Sequence, residues 1–399
     1  MSSVVHATRS ALYWLGAALF AAYGLRGRLS GPPPPRLPLD PAAVRRLLVI
    51  RLDLLGDAVF TIPAIEALAV TFPEARIDVL ALPYTASIFR RVPGVGVIHE
   101  LDVNVFRRPR GMLALRTLLG TIRVLRAEDY DVAVGLSRLM GGVFAVLSGA
   151  KLRVGHSAET YRGCYNLPLP GRRYAPGEHE VQYCLGVVEV LGGAGPRPRT
   201  PIPALLARGD SPPSSDSPPP RAWGRYAVLV PGASNGAAKR WPAPLWTKLA
   251  DRVARELNLT VVLSGSAGER HLAEVVAAPL TPPPVIAAGR TSVDELPSIL
   301  AHAEVVVAGD TGPLHLAAAL GTPVVGIFGP TDPRNTGPLG ESTRMVRLGI
   351  GCSPCYDLSG PAECKLPDRS VACMWGLSAD RVFESVAAVL AGRGDSLPS

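Results

Sequence analysis

Two carboxylates interrupt the apolar stretch "VIRLDLLGDAVFTIPAIEAL" (Val49 to Leu68): Asp53 and Asp57, the second with Gly56 beside it. A carboxylate in a turn after a buried strand is placed to take a proton from a substrate hydroxyl. It is equally placed to cap the helix that follows, and the stretch alone leaves both readings open. Three later stretches carry groups suited to anions. "VPGASNGAAKRWPAPLWTKLA" (Val230 to Ala250) combines a small polar loop, holding Ser234 and Asn235, with Lys239. A lysine beside such a loop neutralises a diphosphate without a metal, although a Lys239–Arg240 pair also reads as solvated surface. "GSAGERHLAEV" puts Glu269 after a glycine turn, where it either accepts ribose hydroxyls or sits in a helix's first turn. "VVAGDTGPLHLAAALGTPVVGIFGPTDP" (Val306 to Pro333) ends a strand on Asp310, Thr311 and Gly312. Pro313 then fits a first helical turn, and His315 lies just inside it. The plain alternative there is a capping Thr311 and a packed His315.

These groups need a scaffold of strands ending in loops. From Arg45 the sequence runs strand, helix, strand: "LLVIRL", "IPAIEALAVTF" and "RIDVLAL", then "YDVAVGLS", a helix in "MGGVFAVLSGA" and a strand in "LRVGHS". After "RGDSPPSSDSPPPRAWG", whose composition cannot form a core, the alternation restarts with "YAVLVPGAS", "TVVLSGSAGER", "AEVVVAGD" and "PVVGIFGP". Buried runs alternating with helices predict α/β units with parallel sheets. Glycine-rich strand ends and helix N-termini present N–H groups to a phosphate. The predicted segments are a hydrophobic helix over 1–30, a proline-rich linker over 31–44, a Rossmann-like domain over 45–207, a Ser/Pro linker over 208–222 and a second Rossmann-like domain over 223–392.

Length and charge narrow the classes. A chain of 399 residues exceeds one ordinary core. Lys and Arg outnumber Asp and Glu 41 to 33, which favours anionic partners. With 6% aromatics and no basic block, a nucleic-acid partner is not expected. "ALYWLGAALFAAYGL" (Ala11 to Leu25) carries no charge but is shorter than a helix needs to cross the ~30 Å hydrocarbon core. Flanked by Arg9, Arg26 and Arg28, it reads as a helix lying on a membrane surface, with a spanning anchor, a signal peptide or a buried helix as alternatives. No strand leads into Gly-x-Gly-x-x-Gly with an acid ~20 positions on, which argues against a dehydrogenase. Asp129-Tyr130-Asp131 precedes a strand and reads as strand entry. Cys352, Cys355, Cys364 and Cys373 crowd one segment, so a structural zinc or iron–sulfur site stands beside reduced thiols in a capping loop.

Together, "RLDLLGDAVFTIPAIEAL", "PGASNGAAKRWP", "GSAGER", "GDTGPLHLAAALGTPVVGIFGPTDP" and the late "CSPC" resemble glycosyltransferase family 9, the lipopolysaccharide heptosyltransferases. The resemblance covers roughly Leu47 to Leu390, with the motifs in order. It implies a GT-B fold, two Rossmann-like domains facing across a cleft that closes on the reactants. It implies an inverting, metal-independent transfer needing no catalytic cofactor, with ADP-heptose as donor and a lipopolysaccharide-core or other anionic lipid-linked glycan as acceptor. The family's base falls on Asp57, with Asp53 a turn residue and Gly56 keeping the backbone compact for the acceptor. The donor-site motif falls on Lys239, Glu269, Asp310, Thr311, Gly312 and His315, beside the loop with Ser234 and Asn235. The expected location is the cytoplasmic face of the inner membrane, peripheral or held by the N-terminal helix. The Ser/Pro insert and the N-terminal segment depart from the family core. A nucleotide-sugar epimerase on the same scaffold and a non-catalytic membrane-tethered sugar-nucleotide binder are the competing readings.

Overall fold

The computed structural model describes residues 36–106, 111–161, 163–173, 175, 177–193, 220–356, 362–368 and 370–392. The hydrophobic segment over 1–30 and nearly all of the Ser/Pro-rich stretch lie outside the described residues. Among the described residues no helix is long and apolar enough to cross a membrane. The chain divides into two compact units, one of residues 1–175 and 181–197, the other of residues 176–180 and 198–399.

The first unit is a six-stranded parallel sheet in the order β3-β2-β1-β4-β5-β6. Its strands are β1 (Arg46–Arg51), β2 (Arg76–Ala81), β3 (Val95–Glu100), β4 (Val132–Gly135), β5 (Leu152–His156) and β6 (Leu167–Leu169). β1 is central, pairing Leu47 with both Ile77 and Val132. That position explains its unbroken apolar run, since a strand covered on both faces has no solvent side to alternate with. The helices are α1 (Leu55–Thr71), α2 (Pro83–Phe89), α3 (Gly111–Ala127), α4 (Arg138–Leu147) and α5 (Glu180–Leu191). Leu48, Ile50, Leu80, Ala133 and Phe144 share one buried cluster. Residues 36–44, read from the sequence as linker, include a short 3-10 turn at Pro41–Ala43, and Leu39 donates its N–H to the Leu191 carbonyl at 3.1 Å.

The second unit repeats the plan with β7 (Tyr226–Val230), β8 (Thr260–Leu263), β9 (Val285–Ile286), β10 (Val305–Gly309), β11 (Val324–Phe328) and β12 (Thr343–Arg347). Their order is β12-β11-β10-β7-β8-β9, all parallel. Both sheets therefore have the doubly wound order 3-2-1-4-5-6, counted within each unit. In such a sheet the crevice opens where the first and fourth strands part in opposite directions. Here those pairs are β1 with β4 and β7 with β10. The helices of this unit are α6 (Ala243–Glu256), α7 (Arg270–Ala277), α8 (Leu296–Ala301), α9 (Gly312–Ala319), α10 (Pro333–Thr336), α11 (Ala372–Trp375) and α12 (Ala379–Leu390). Its core holds Trp241 and Trp246 edge to face, 5.1 Å between ring centroids.

Candidate active site

Asp57 sits in the first turn of α1, at the switch point of the first sheet. The two readings of this residue divide between its two oxygens. Oδ2 accepts the Leu54 N–H at 3.0 Å, satisfying a backbone donor at the helix start. Oδ1 accepts from the guanidiniums of Arg51, at 3.1 Å, and Arg173. Arg51 is fully buried at the end of β1 and also donates to the Leu136 carbonyl beyond β4 at 2.7 Å. Leu52 donates its N–H to Ser137 Oγ at 2.6 Å, so the loops after the two central strands are stitched together. Burial opposes ionisation of Asp57, but Arg173 and Arg51, with the Leu54 N–H, outweigh it and hold the carboxyl below its ordinary range.

Asp53 lies beside the same two arginines at longer range, 3.5 Å from Arg51 and 3.8 Å from Arg173. Burial dominates there and pushes its carboxyl up. The two carboxyls are thus driven in opposite directions, Asp57 toward the anion and Asp53 away from it. For Tyr84, partly exposed at the start of α2, burial first, then the charges of Asp57 and Asp53, push the phenol up.

In the second unit the stretches Val230 to Ala250 and Val306 to Pro333 meet at the β7/β10 switch point. Lys239 is buried, contrary to the solvated-surface reading, and its Nζ donates to Asp310 Oδ2 at 2.9 Å. The other oxygen of Asp310 pairs with His315 Nε2 at 3.0 Å. Burial would raise the Asp310 carboxyl, but Lys239 and His315 overcome it and hold it far below the usual range. Trp241 makes this placement possible. Its ring is sunk in the core with Nε1 donating to the Leu377 carbonyl at 3.0 Å, which pins the chain two residues after Lys239. The lysine ammonium also lies 5.2 Å from the centroid of the Tyr356 ring, and the hydroxyl of that ring accepts from Asn235 Nδ2 at 2.9 Å. Ser234 is exposed beside Asn235.

Thr311 occupies the N-cap position of α9, but its side chain makes no capping bond and its hydroxyl donates to the Gly309 carbonyl at 3.2 Å. The first N–H groups of α9, beginning at Gly312, therefore have no side-chain cap at the N-cap position. Glu269 takes the local role: its Oε2 accepts from both the N–H and the hydroxyl of Ser266, each at 2.8 Å. Its carboxyl group also lies over Gly232, where a Cβ would fall 2.2 Å from Glu269 Cδ. The missing side chain at Gly232 brings the loops after β7 and β8 together.

Arg51 and Arg173 are the groups around Asp57 that sequence reasoning missed. A charged residue ending the run "LLVIR" was a signal for Arg51; Arg173 is 116 positions from Asp57 and has no local signature. Asp129 and Asp131 do enter β4, and Asp131 accepts the N–H groups of Arg45 and Arg46. Of the two readings of the cysteine segment, the structural zinc or iron–sulfur site finds no support among the described residues. Cys352, Cys355, Cys364 and Cys373 line one small cavity and form no disulfide with one another. Among the described residues, however, no group of three or more His, Cys, Asp or Glu side chains is placed to hold a metal ion. Burial, with the three neighbouring cysteines, pushes the Cys373 thiol up to about 11.

Comparison with known proteins bears on the family and the fold. The sequence model of Glycosyltransferase family 9 (heptosyltransferase) matches residues 119–365. Lipopolysaccharide heptosyltransferase 1 of Pseudomonas aeruginosa is 28% identical over 384 residues, 86% of this chain and 98% of the relative. Lipopolysaccharide heptosyltransferase 2 of Escherichia coli is 27% identical over 322 residues, 77% of this chain and 89% of the relative. The structure of E. coli heptosyltransferase WaaC with ADP superposes with a TM-score of 0.66 at 21% identity, covering 86% of this chain and 99% of that one. That likeness shows the GT-B type of fold. The family match spans well over half of the sequence and decides for a transferase over the epimerase and scaffold readings: the chain belongs to glycosyltransferase family 9, the heptosyltransferase family, and is a glycosyltransferase.

Proposed function

We propose that the chain moves heptose, or a related sugar, from an ADP-sugar to a lipopolysaccharide-core or other lipid-linked glycan, with inversion at the anomeric carbon. The observation that carries this reading is the pairing of chemistries at two like positions. The first switch point holds an ionised carboxylate, Asp57, and the second a buried cation, Lys239, beside N–H-rich loops. Asp57 takes the acceptor hydroxyl's proton as that oxygen attacks the anomeric carbon. The carbon–oxygen bond to the diphosphate breaks, and its electron pair leaves with ADP. Lys239 and the start of α9, at Thr311 and Gly312, take up the charge that develops on the leaving phosphate. Ser234 and Asn235 line the phosphate loop, Glu269 receives the nucleoside, and Asp310 holds Lys239 and His315 in place. With charge handled this way, no step calls for a divalent metal.

The ADP donor and the lipopolysaccharide acceptor are supported by the names of the relatives and of the structure solved with ADP. Domain limits of 45–207 and 223–392, and a place at the cytoplasmic membrane face, belong to the same proposal. A panel of ADP-, GDP- and UDP-sugars, read for nucleotide release with and without a lipid-linked acceptor, tests it. ADP release from ADP-heptose that depends on acceptor supports the reading. Release from no donor in the presence of acceptor overturns it.

A further inference from the structure

The helix α3 presents to solvent five large apolar side chains together with three arginines, Arg116, Arg123 and Arg126. Met112, Leu113, Leu115, Leu119 and Val124 are all exposed, Met112 at 69% and Leu115 and Leu119 at 55% each. Met112, Leu115 and Leu119 recur at helical spacing, with exposed Arg116 between them and exposed Arg123 one turn after Leu119. The opposite face carries Leu118 and Leu125, which pack into the core of the first unit. An internal helix would hide its leucines, and an ordinary surface helix would not carry five large exposed apolar side chains in four turns. From Arg107 to Arg126 the sequence has six arginines, with no acidic residue between Asp102 and Glu128.

We infer that α3 is a docking helix for an anionic lipid bilayer, lying in the headgroup layer with its leucines toward the acyl chains and its arginines on lipid phosphates. Arginine stems extend along an apolar surface while their guanidiniums reach polar groups, so the mixed face is suited to an interface. A second copy of the chain fits poorly, because a twofold contact would bring the same arginines face to face. The position also serves chemistry. The end of α3 is five residues before β4 begins, so the helix runs back along the sheet. Its first turn therefore lies toward the edge where the strands end, the edge that carries Asp57. A lipid-linked acceptor would be met at its membrane end by the same unit that holds the base. This assignment is separate from the transfer reaction and from the apolar segment over residues 11–25.

The test uses the full chain with phosphatidylcholine vesicles and with vesicles containing half phosphatidylglycerol, read by flotation. The double variants Leu115→Glu/Leu119→Glu and Arg116→Glu/Arg123→Glu are each expected to lower binding to the anionic vesicles about tenfold or more. Transfer to a water-soluble, delipidated acceptor should remain intact, which separates failure here from failure of the proposed activity. A Leu119→Trp variant, compared with the parent chain, should gain fluorescence quenching by brominated lipids. Undiminished binding by either double variant, or no added quenching at position 119, overturns the inference. So does a concentration-dependent dimer that disappears in the variants while vesicle binding stays the same.

Discussion

Asp57 shares a cluster with two arginines and a second aspartate, and the balance of that cluster sets its basicity. Arg173 is the closest cation, so replacing it removes the strongest attraction that opposes burial. In Arg173→Gln the Asp57 carboxyl should rise toward or past its ordinary 3.8. The acid limb of kcat/KM should then move to higher pH by about one unit or more, as a pH–rate profile would show. An unmoved limb would mean that the arginine does not control this carboxylate. The same signs govern stability. Asp57 and Asp310 both have folded pKa values below 3.8, so what they contribute is fully present above that pH and is lost as the pH falls through the lowered values. Thermal melts should therefore be flat in this respect near neutrality and decline below about pH 4. Asp310 was readable from its strand-end motif, and Asp57 from its turn. The arginines that tune Asp57 were not, because a long-range ion pair leaves no spacing in the sequence.

At the scale of elements, the donor loops depend on two glycines with different neighbours. A Cβ at Gly232 meets the far end of a flexible side chain, Glu269, whereas a Cβ at Gly236 falls 2.2 Å from the Ala362 backbone nitrogen at a φ of +110°. Gly236→Ala should accordingly cost about 1–3 kcal/mol or more through strain, measured by denaturant melts. Gly232→Ala should displace Glu269, cost no more than the cap to Ser266 that it gives up, about 1 kcal/mol, and weaken ADP binding. Glu269→Ala loses its bonds to Ser266, a cap typically worth about 1 kcal/mol, and should weaken ADP as well. If calorimetry finds ADP bound equally well by both, Glu269 is a cap and nothing more. The central strands were legible because β1, β7, β10 and β11 are continuous apolar runs. The edges were less so: β3 is half exposed, β9 has two residues and β12 is only partly buried, so none carries a strong pattern.

Across the whole molecule, one sheet order is used twice, with the candidate base at the crevice of one unit and the candidate phosphate groups at the crevice of the other. Two domains and the parallel alternation were visible in the sequence. The shared strand order was not, since periodicity marks strands without saying which are neighbours. Hydrogen exchange with ADP added should show protection at residues 232–240, 264–269 and 310–316, with residues 52–57 unchanged. Protection confined to 52–57 would reverse the assignment of the two units. The most direct measurement is the Asp57→Ala variant, assayed for acceptor-dependent ADP release from ADP-heptose alongside calorimetry of ADP binding. A loss of turnover of roughly 10²–10⁴-fold with ADP affinity unchanged is expected of a missing general base. Turnover equal to that of the parent chain would contradict the account.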